Sequence, residues 1–557
     1  MKVKDKGSHN YSDYIEEGVG LVIHSFDHDG AGYISGWELC APDYEVSGTS
    51  LEKLINVLKF LVTKYDLHFN LVRGVESKNT KKVLVIYTDN LFKVRCFLNK
   101  YITLEFPLYF QVLDFIEFRP MDIWNPEALT ARDIANYADM LIKNIFVPEK
   151  YYYLTPNQRP RKLLKATSKF IDLSDIVPKK YHSYTALRKA LYGGINYVRS
   201  IGRVIEDPMI AIDLTSAYIY CLCVLKHCMS EFTTTDTSDF EYFLDSPSKT
   251  SLGLYRITYN SWSDRIRCYK DLSGTHFEKG NNITVNTMMN NIDLKNFIDL
   301  ADVTNIQCLT LEEANLDYLP KEIIDVIITE YIKKTKFDKN DPLRDVQKAT
   351  VNGIYGDTIR TMKSEKDYMA FLKQPYLAPQ WGIWTTSYCK KLILDVALKV
   401  DGWYMSATDS IYCLDTPDNR KVIEEFNNKI RQSVKDFCDR FGYKYNDLKD
   451  LGTFDMEEIV KFKAFRHGAY VYTNKNGNVV VKASGCNKEE LPNDDSLYKL
   501  DTLPTGTRSY EFFNDKHTEC TINGTHYESD GSYVENRLGG VLGECALAAI
   551  LLTKALE

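Results

Sequence analysis

Between Met209 and Leu225 the chain carries a single charged residue, Asp213. A run this apolar belongs inside a core, and its two halves differ in character. Met209–Asp213 is short and carries Ile210 and Ile212, as a buried strand does. Thr215–Leu225 is long enough to be the helix that follows. A buried strand that passes straight into a buried helix is the repeating unit of an α/β chain. The lone carboxylate stands at the junction. It reads either as the cap of the next helix or as an oxygen ligand held on rigid backbone at a cleft, the donor type that magnesium prefers.

The rest of the chain alternates in the same way. Its 557 residues exceed one simple core, so roughly two to four subdomains are expected. Residues 1–170 read as mixed α/β, with strands at Gly20–His24 and Lys82–Tyr87 and an amphipathic helix at Ser50–Tyr65. Tyr151–Lys169, with two prolines and a basic cluster, marks a boundary. Residues 230–320 read as a strand-rich insertion. Lys321–Lys336 has Ile323, Ile327 and Tyr331 at helical spacing. Asp341-Pro342 starts another helix, with Asp as cap and Pro at the first turn, and Gly356 is expected to end it. Gly539–Glu557 closes the chain as a small-residue helix. No apolar stretch reaches the ~18 residues of a membrane span. The charged start, Met-Lys-Val-Lys-Asp-Lys, has no signal core behind it, so the chain is expected in the cytoplasm. The 13 cysteines show no paired zinc spacing, and Cys221, Cys223 and Cys228 read as buried thiols.

Two further segments carry chemistry. Arg344, Lys348, Asn352 and Tyr355 fall at i, i+4, i+8 and i+11, which places two cations, an amide and a ring on one helical stripe. Such a face suits an anionic, planar substrate. Alternatively Asn352-Gly353 is a hairpin turn, or the stripe is a solvated face. Trp403–Leu414 reads as a β-hairpin with Thr408-Asp409-Ser410 at its tip, exposing Asp409 unless the turn is an ordinary one. The net charge of −7 is unusual for a nucleic-acid binder. The cations are clustered, however, at Arg159, Arg161, Lys162, Lys165 and Lys169, at Lys333, Lys334, Lys336 and Lys339, and at Lys461, Lys463 and Arg466. Each cluster reads as a solvated face or a phosphate-binding surface.

Taken in order, Asp213-x-x-Ser216-x-Tyr218, Lys348-x3-Asn352-x2-Tyr355-Gly356 and Thr408-Asp409-Ser410 resemble the three polymerase motifs of family B DNA polymerases. Their spacing is similar to that of the small protein-primed replicases of phages and linear plasmids. Tyr192-Gly193-Gly194 resembles the family's Tyr-x-Gly-Gly linker, with Leu191 where that Tyr would align. Lys461–Tyr470 resembles the Lys-x-Tyr segment that touches the primer; Tyr470 is kept, and Gly468 takes the Lys position. Lys482-Ala-Ser-Gly485 is similar to a further primer- or template-side element.

The resemblance implies an α/β multi-domain chain with the right-hand polymerase fold of palm, fingers and thumb behind an N-terminal exonuclease-like α/β domain. The implied parts are the exonuclease-like domain at 1–170, palm at 171–229 and 382–495, a palm insertion at 230–320, fingers at 321–357, a short second insertion at 358–381, and thumb at 496–557. It implies template-directed addition of deoxynucleotides to a primer 3′-hydroxyl. Asp213 and Asp409, with the Leu214 carbonyl, would hold two Mg2+ ions, with Mn2+ as a substitute. Lys348 would meet the incoming triphosphate, with Arg344 and Lys336 in support. Tyr218 takes the steric-gate position against a ribose 2′-hydroxyl, Tyr355 packs on the nascent base pair, and Asn352 orients phosphate or base. Tyr192, Gly193, Gly194, Thr408, Ser410, Tyr470 and Lys482 would face DNA. The partners implied are template, primer and deoxynucleoside triphosphates, with a terminal protein as the candidate primer.

Two departures qualify this. The family has Asp-Thr-Asp-Ser where this chain has Ala407-Thr-Asp-Ser, so weaker metal binding is expected. The family's exonuclease carboxylates have only Asp27-His28-Asp29 and the region of Thr88-Asp89-Asn90 as candidates, and cations stand where the last Tyr-x3-Asp would align. An exonuclease-like fold without proofreading is therefore expected. The competing reading is a catalytically silent nucleic-acid-binding scaffold with the same fold.

Overall fold

The computed structural model describes residues 2–3, 11–15, 17–28, 31–72, 75–89, 94, 98, 112, 115–120, 130–142, 158–338, 341–483, 491–492, 494–501, 503, 509–511, 518–522, 525–529 and 532–534. The chain divides into two compact units. The first comprises Met1–Leu154, Asn340–Val346 and Gly506–Glu557, and the second Thr155–Lys339 and Gln347–Thr505.

The first unit is built on an eight-stranded mixed sheet. Val75–Thr88 pairs in parallel with Tyr11–Ile15, Gly20–His28 and Ile116–Pro120. Residues Val83–Thr88 are all buried, the continuous apolar signature of a strand covered on both faces. The expected strands thus form, and each runs further than its apolar centre. Leu51–Lys64 is the expected helix, with the Ser50 hydroxyl accepting from the Lys53 N–H. It buries Leu51, Leu54, Ile55, Leu58 and Leu61 on one stripe against Leu21, Ile23, Leu84 and Ile86. The side chains of Asp27 and His28, together with Asp29 and Asn90, lie outside the described residues. The expected Gly539–Glu557 helix also lies outside them, as does most of 496–557.

The second unit holds the site. Its main strands and helices are β1 (Ile195–Val198), β2 (Met209–Leu214), α1 (Ala217–Val224), β3 (Lys249–Ser261), β4 (Gly280–Asn290), α2 (Asn291–Leu300), β5 (Asp302–Asp317) and α3 (Lys321–Thr335). There follow α4 (Pro342–Thr358, of this unit from residue 347 on), α5 (Pro379–Ala397), β6 (Met405–Thr408), β7 (Ser410–Leu414), α6 (Pro417–Phe441), β8 (Phe454–Arg466), β9 (Ala469–Asn474) and β10 (Val479–Ala483). Seven strands form one antiparallel path, β10-β9-β8-β2-β7-β6-β1. A second, antiparallel sheet built on β3, β4 and β5 occupies the stretch expected to be a strand-rich insertion. Helix α1 is apolar all round because it runs through the core, where Tyr220, Cys221, Leu222 and Cys223 are buried.

Two expectations are corrected and one alternative is excluded. Helix α4 does not end at Gly356. It continues to Thr358, whose hydroxyl donates to the Tyr355 carbonyl. Asn352-Gly353 is helical rather than a hairpin turn, because the apolar residues Val351 and Ile354 are buried on the face behind it. The basic clusters are neither solvated faces nor phosphate surfaces throughout. Arg161 makes a forked ion pair, at 2.6 and 3.0 Å, with Asp357, whose side chain is 5% exposed. Lys334 is buried and donates to Ser216 Oγ, and Lys463 is buried and donates to the carbonyls of Tyr498 and Leu500. No disulfide joins the described cysteines. No helix among the described residues is long and apolar enough to cross a membrane.

Behind α1, His227 is fully buried with Nε2 on the Cys221 carbonyl at 2.9 Å, and burial pushes its pKa down to about 4. In the unfolded chain the same ring titrates near 6.5. Between these values the unfolded state takes up a proton that the folded state refuses. Stability should therefore fall as pH drops from about 6.5 to 4 and level off below, by up to roughly 3 kcal/mol. The check is urea unfolding of wild type and His227→Gln at pH 7 and 4.5, where the variant should show a smaller acid loss.

Candidate active site

The register of the main sheet assembles the site. Asp213 on β2 is directly opposite Ser410 on β7 and Asp455 on β8, and Ser410 is directly opposite Ala407 on β6. Opposite residues in antiparallel strands present side chains to the same face. Ala407, Ser410, Asp213 and Asp455 therefore form one row across four strands. A cleft of about 670 Å³ opens over this row and is also lined by Asp409, Lys348, Tyr470 and Lys482. Residues that are far apart in sequence thus share one wall.

Asp409 sits at the hairpin tip with both its backbone groups engaged. Its N–H donates to the Ala407 carbonyl at 2.8 Å, and its carbonyl accepts from the Leu214 N–H at 3.0 Å. One hydrogen bond therefore ties the Asp409 backbone to the residue after Asp213. Both carboxylates are raised above the usual range. Burial is the main cause for Asp213, followed by the charge of Asp409, and its pKa is pushed up to about 7 against the pull of Lys348 and Lys482. Asp213 is exposed, but it lines the cleft, where the surrounding protein desolvates its carboxylate. Asp409 is raised mainly by burial. Like charges opposite one another, as at Asp213 and Asp455, are unfavourable without a cation between them.

The donors in this row are carboxylates, which suit a hard divalent cation such as Mg2+. Among the described residues no group of three or more His, Cys, Asp or Glu comes close enough to hold a metal by itself. Magnesium takes one or two carboxylates and completes its shell with water and substrate phosphates.

Beside the row, Tyr218 lies flat on Tyr355, with ring centroids 3.9 Å apart and planes tilted by 8°. The Tyr355 hydroxyl is 2.7 Å from Thr386 Oγ1 of α5, so this ring is held from behind. Gln347, about two turns earlier on α4, donates to the Glu330 carboxylate at 2.7 Å and to the Glu330 carbonyl, tying α4 to α3. Asn352 and Lys348 are exposed on the outer stripe of α4, as expected. Lys336, just past α3, is exposed, and Arg344 lies in the first turn of α4. Tyr470 is buried, with its hydroxyl 2.9 Å from that of Tyr412, and Lys482 is its partner across β9–β10.

One expected DNA contact is corrected. Tyr192 is only 3% exposed, with its hydroxyl on Thr287 and Met288, so its ring cannot reach a bound strand. Gly193 is exposed and Gly194 lies against Thr408. The sequence reading missed Asp455 and Glu457 in the cleft. Their i, i+2 spacing in a strand-like run, Phe454-Asp-Met-Glu-Glu, was the available signal.

No family model matches the sequence, and no curated protein matches it. Solved structures do match by shape. The chain is similar to phi29 DNA polymerase complexed with primer-template DNA and incoming nucleotide substrates, at 13% identity, TM-score 0.56, and coverage of 93% of this chain and 99% of that one. The form complexed with single-stranded DNA matches at 13% identity, TM-score 0.59, with the same coverage. The fold is that of phi29 DNA polymerase. It is the expected α/β multi-domain fold, and it is consistent with the right-hand polymerase architecture.

Proposed function

We propose that the chain is a template-directed DNA polymerase that extends a primer 3′-hydroxyl with deoxynucleotides, in protein-primed replication of a viral or plasmid genome. The observation that supports this most is convergence. Asp213, Lys348 and Asp409, from three separate segments, line one cleft within a polymerase fold.

Asp213 and Asp409, with the Leu214 carbonyl, would hold two magnesium ions. Bound there, the metal would activate the primer hydroxyl and stabilise the leaving pyrophosphate. The rest of the work is positioning and charge. Lys348 meets the triphosphate, with Lys336 and Arg344 in support and Asn352 orienting it. Tyr218 and Tyr355 form the wall against sugar and base. Thr408, Ser410, Tyr470, Lys482 and the Gly193-Gly194 backbone face the primer and template. In this reading residues 171–229 and 382–495 are palm, 321–357 fingers, 496–557 thumb, and 230–320 and 358–381 insertions. Residues 1–170 form an exonuclease-like domain that does not proofread.

The test is extension of a primed single-stranded DNA with Mg2+ and four deoxynucleotides. Full-length templated product supports the reading. DNA binding without product on a DNA or RNA template would leave the silent scaffold in its place. A second prediction concerns Ala407. An aspartate at this position would face the same side as Asp213, with Ser410 between them. Ala407→Asp should lower the Mg2+ concentration for half-maximal extension several-fold, as read from a metal titration of extension rate.

A further inference from the structure

The turn that carries Asp409 is strained. Thr408 has φ +62°, and the Asp409 N–H closes on the Ala407 carbonyl at 2.8 Å, which makes Ala407–Asp409 a three-residue γ-turn with Thr408 at its centre. A β-branched residue at positive φ is an outlier that persists only where its surroundings impose it. On one side the Leu214 N–H holds the Asp409 carbonyl. On the other, Thr408 pairs with Ile195 and Ala407 with Asn196 of β1.

Just before β1, the backbone of Gly194 is pressed against Thr408. A Cβ at 194 would come within 2.8 Å of Thr408 Cγ2 and 2.9 Å of Thr408 Cα. Gly194 does not have positive φ, so glycine is required here by space rather than by torsion. The segment cannot retreat, because Tyr192 anchors it. The Tyr192 hydroxyl donates to the Met288 carbonyl at 2.5 Å and lies 2.7 Å from Thr287 Oγ1. Its ring lies under Lys390 Nζ at 5.1 Å, and Lys390 is paired at 2.7 Å with Asp293 in a buried ion pair.

We propose that Tyr192–Ile195 is a strut that forces Thr408 into its turn, and that Gly194 and Tyr192 are positioning residues for Asp409. The buried ion pair and Tyr192 set where Gly194 lies, Gly194 sets Thr408, and Thr408 aims the Asp409 carboxylate into the cleft. This rests on the reading of Asp409 as a metal-holding carboxylate.

The test is Gly194→Ala in the full chain, with two readouts on the primer–template complex. One is Mn2+ affinity, measured by electron paramagnetic resonance of free ion. The other is primer–template affinity, measured by fluorescence anisotropy. The expected result is a loss of Mn2+ affinity of about tenfold; the DNA-affinity control is Tyr192→Phe, which changes a buried hydroxyl away from DNA and should keep primer–template affinity within about twofold of wild type. Thr408→Gly removes the Cγ2 and Cβ contacts that the new methyl meets and accepts positive φ, while the contact with the residue 408 Cα at 2.9 Å stays, so Gly194→Ala/Thr408→Gly should recover part of the loss. Tyr192→Phe, which removes only the hydroxyl bonds at the far end of the strut, should weaken Mn2+ about threefold. That variant decides the matter if Gly194→Ala does not fold. Unchanged Mn2+ affinity in both single variants, or a loss confined to DNA affinity, overturns the strut. If the wild type itself shows no Mn2+ site that Asp409→Asn removes, the metal reading fails instead.

Discussion

Asp409→Asn is expected to reduce primer extension by on the order of 10³-fold or more, without unfolding the chain or releasing DNA. Asparagine keeps the shape of the side chain and loses its charge. The hairpin tip is held through the Asp409 backbone, by the Ala407 carbonyl and the Leu214 N–H, and both bonds survive the change. The charge of Asp409 also helps raise Asp213, so removing it relieves a repulsion between the two carboxylates. Loss of activity from such a variant cannot be ascribed to loss of structure. Asp213→Asn should behave alike, because its strand is held in register on both sides by β7 and β8. Single-turnover extension at saturating Mg2+, beside DNA affinity, separates the two quantities. Equal extension by wild type and both variants would remove these carboxylates from the chemistry.

Tyr218→Val should raise incorporation of ribonucleotides relative to deoxynucleotides by on the order of 10²-fold, with smaller change in deoxynucleotide use. The stack at 3.9 Å makes Tyr218 a stiff wall, because Tyr355 behind it is tied to Thr386. A wall excludes an extra hydroxyl only if it cannot yield. Valine leaves room where the phenol ring stood. Tyr355→Phe keeps the ring but cuts the tie to Thr386, and it should cost far less discrimination. The measurement is the ratio of kcat/KM for a matched ribonucleotide and deoxynucleotide. An unchanged ratio in Tyr218→Val would place the sugar elsewhere.

Much of the site was legible before the fold was known. The apolar run singled out Asp213, as helix cap or oxygen ligand, and the two strand-like runs singled out Asp409 at a tip; only the order and spacing of the three segments, which resemble polymerase motifs, joined the two carboxylates into one reading. Lys348 and Tyr355 followed from helical spacing. Asp455 was not legible in this way. Its role depends on β8 pairing with β2 in the register that sets it opposite Asp213, and register is a property of two strands together. The basic clusters misled for the same kind of reason. Arg161 and Lys463 look alike in sequence to solvated cations, yet one binds Asp357, far along the chain, and the other two backbone carbonyls.

The sequence by itself determined the α/β alternation, the junction carboxylate, the hairpin tip and the helical stripe. These depend on periodicity and turn chemistry, which act over a few residues. Tertiary structure alone decided that Tyr192 is an internal anchor rather than a DNA contact, that Gly194 is pressed against Thr408, and that Asp455 joins the carboxylate row. Each of these is a contact between segments distant along the chain. Such contacts follow from packing the whole core, which no local pattern records.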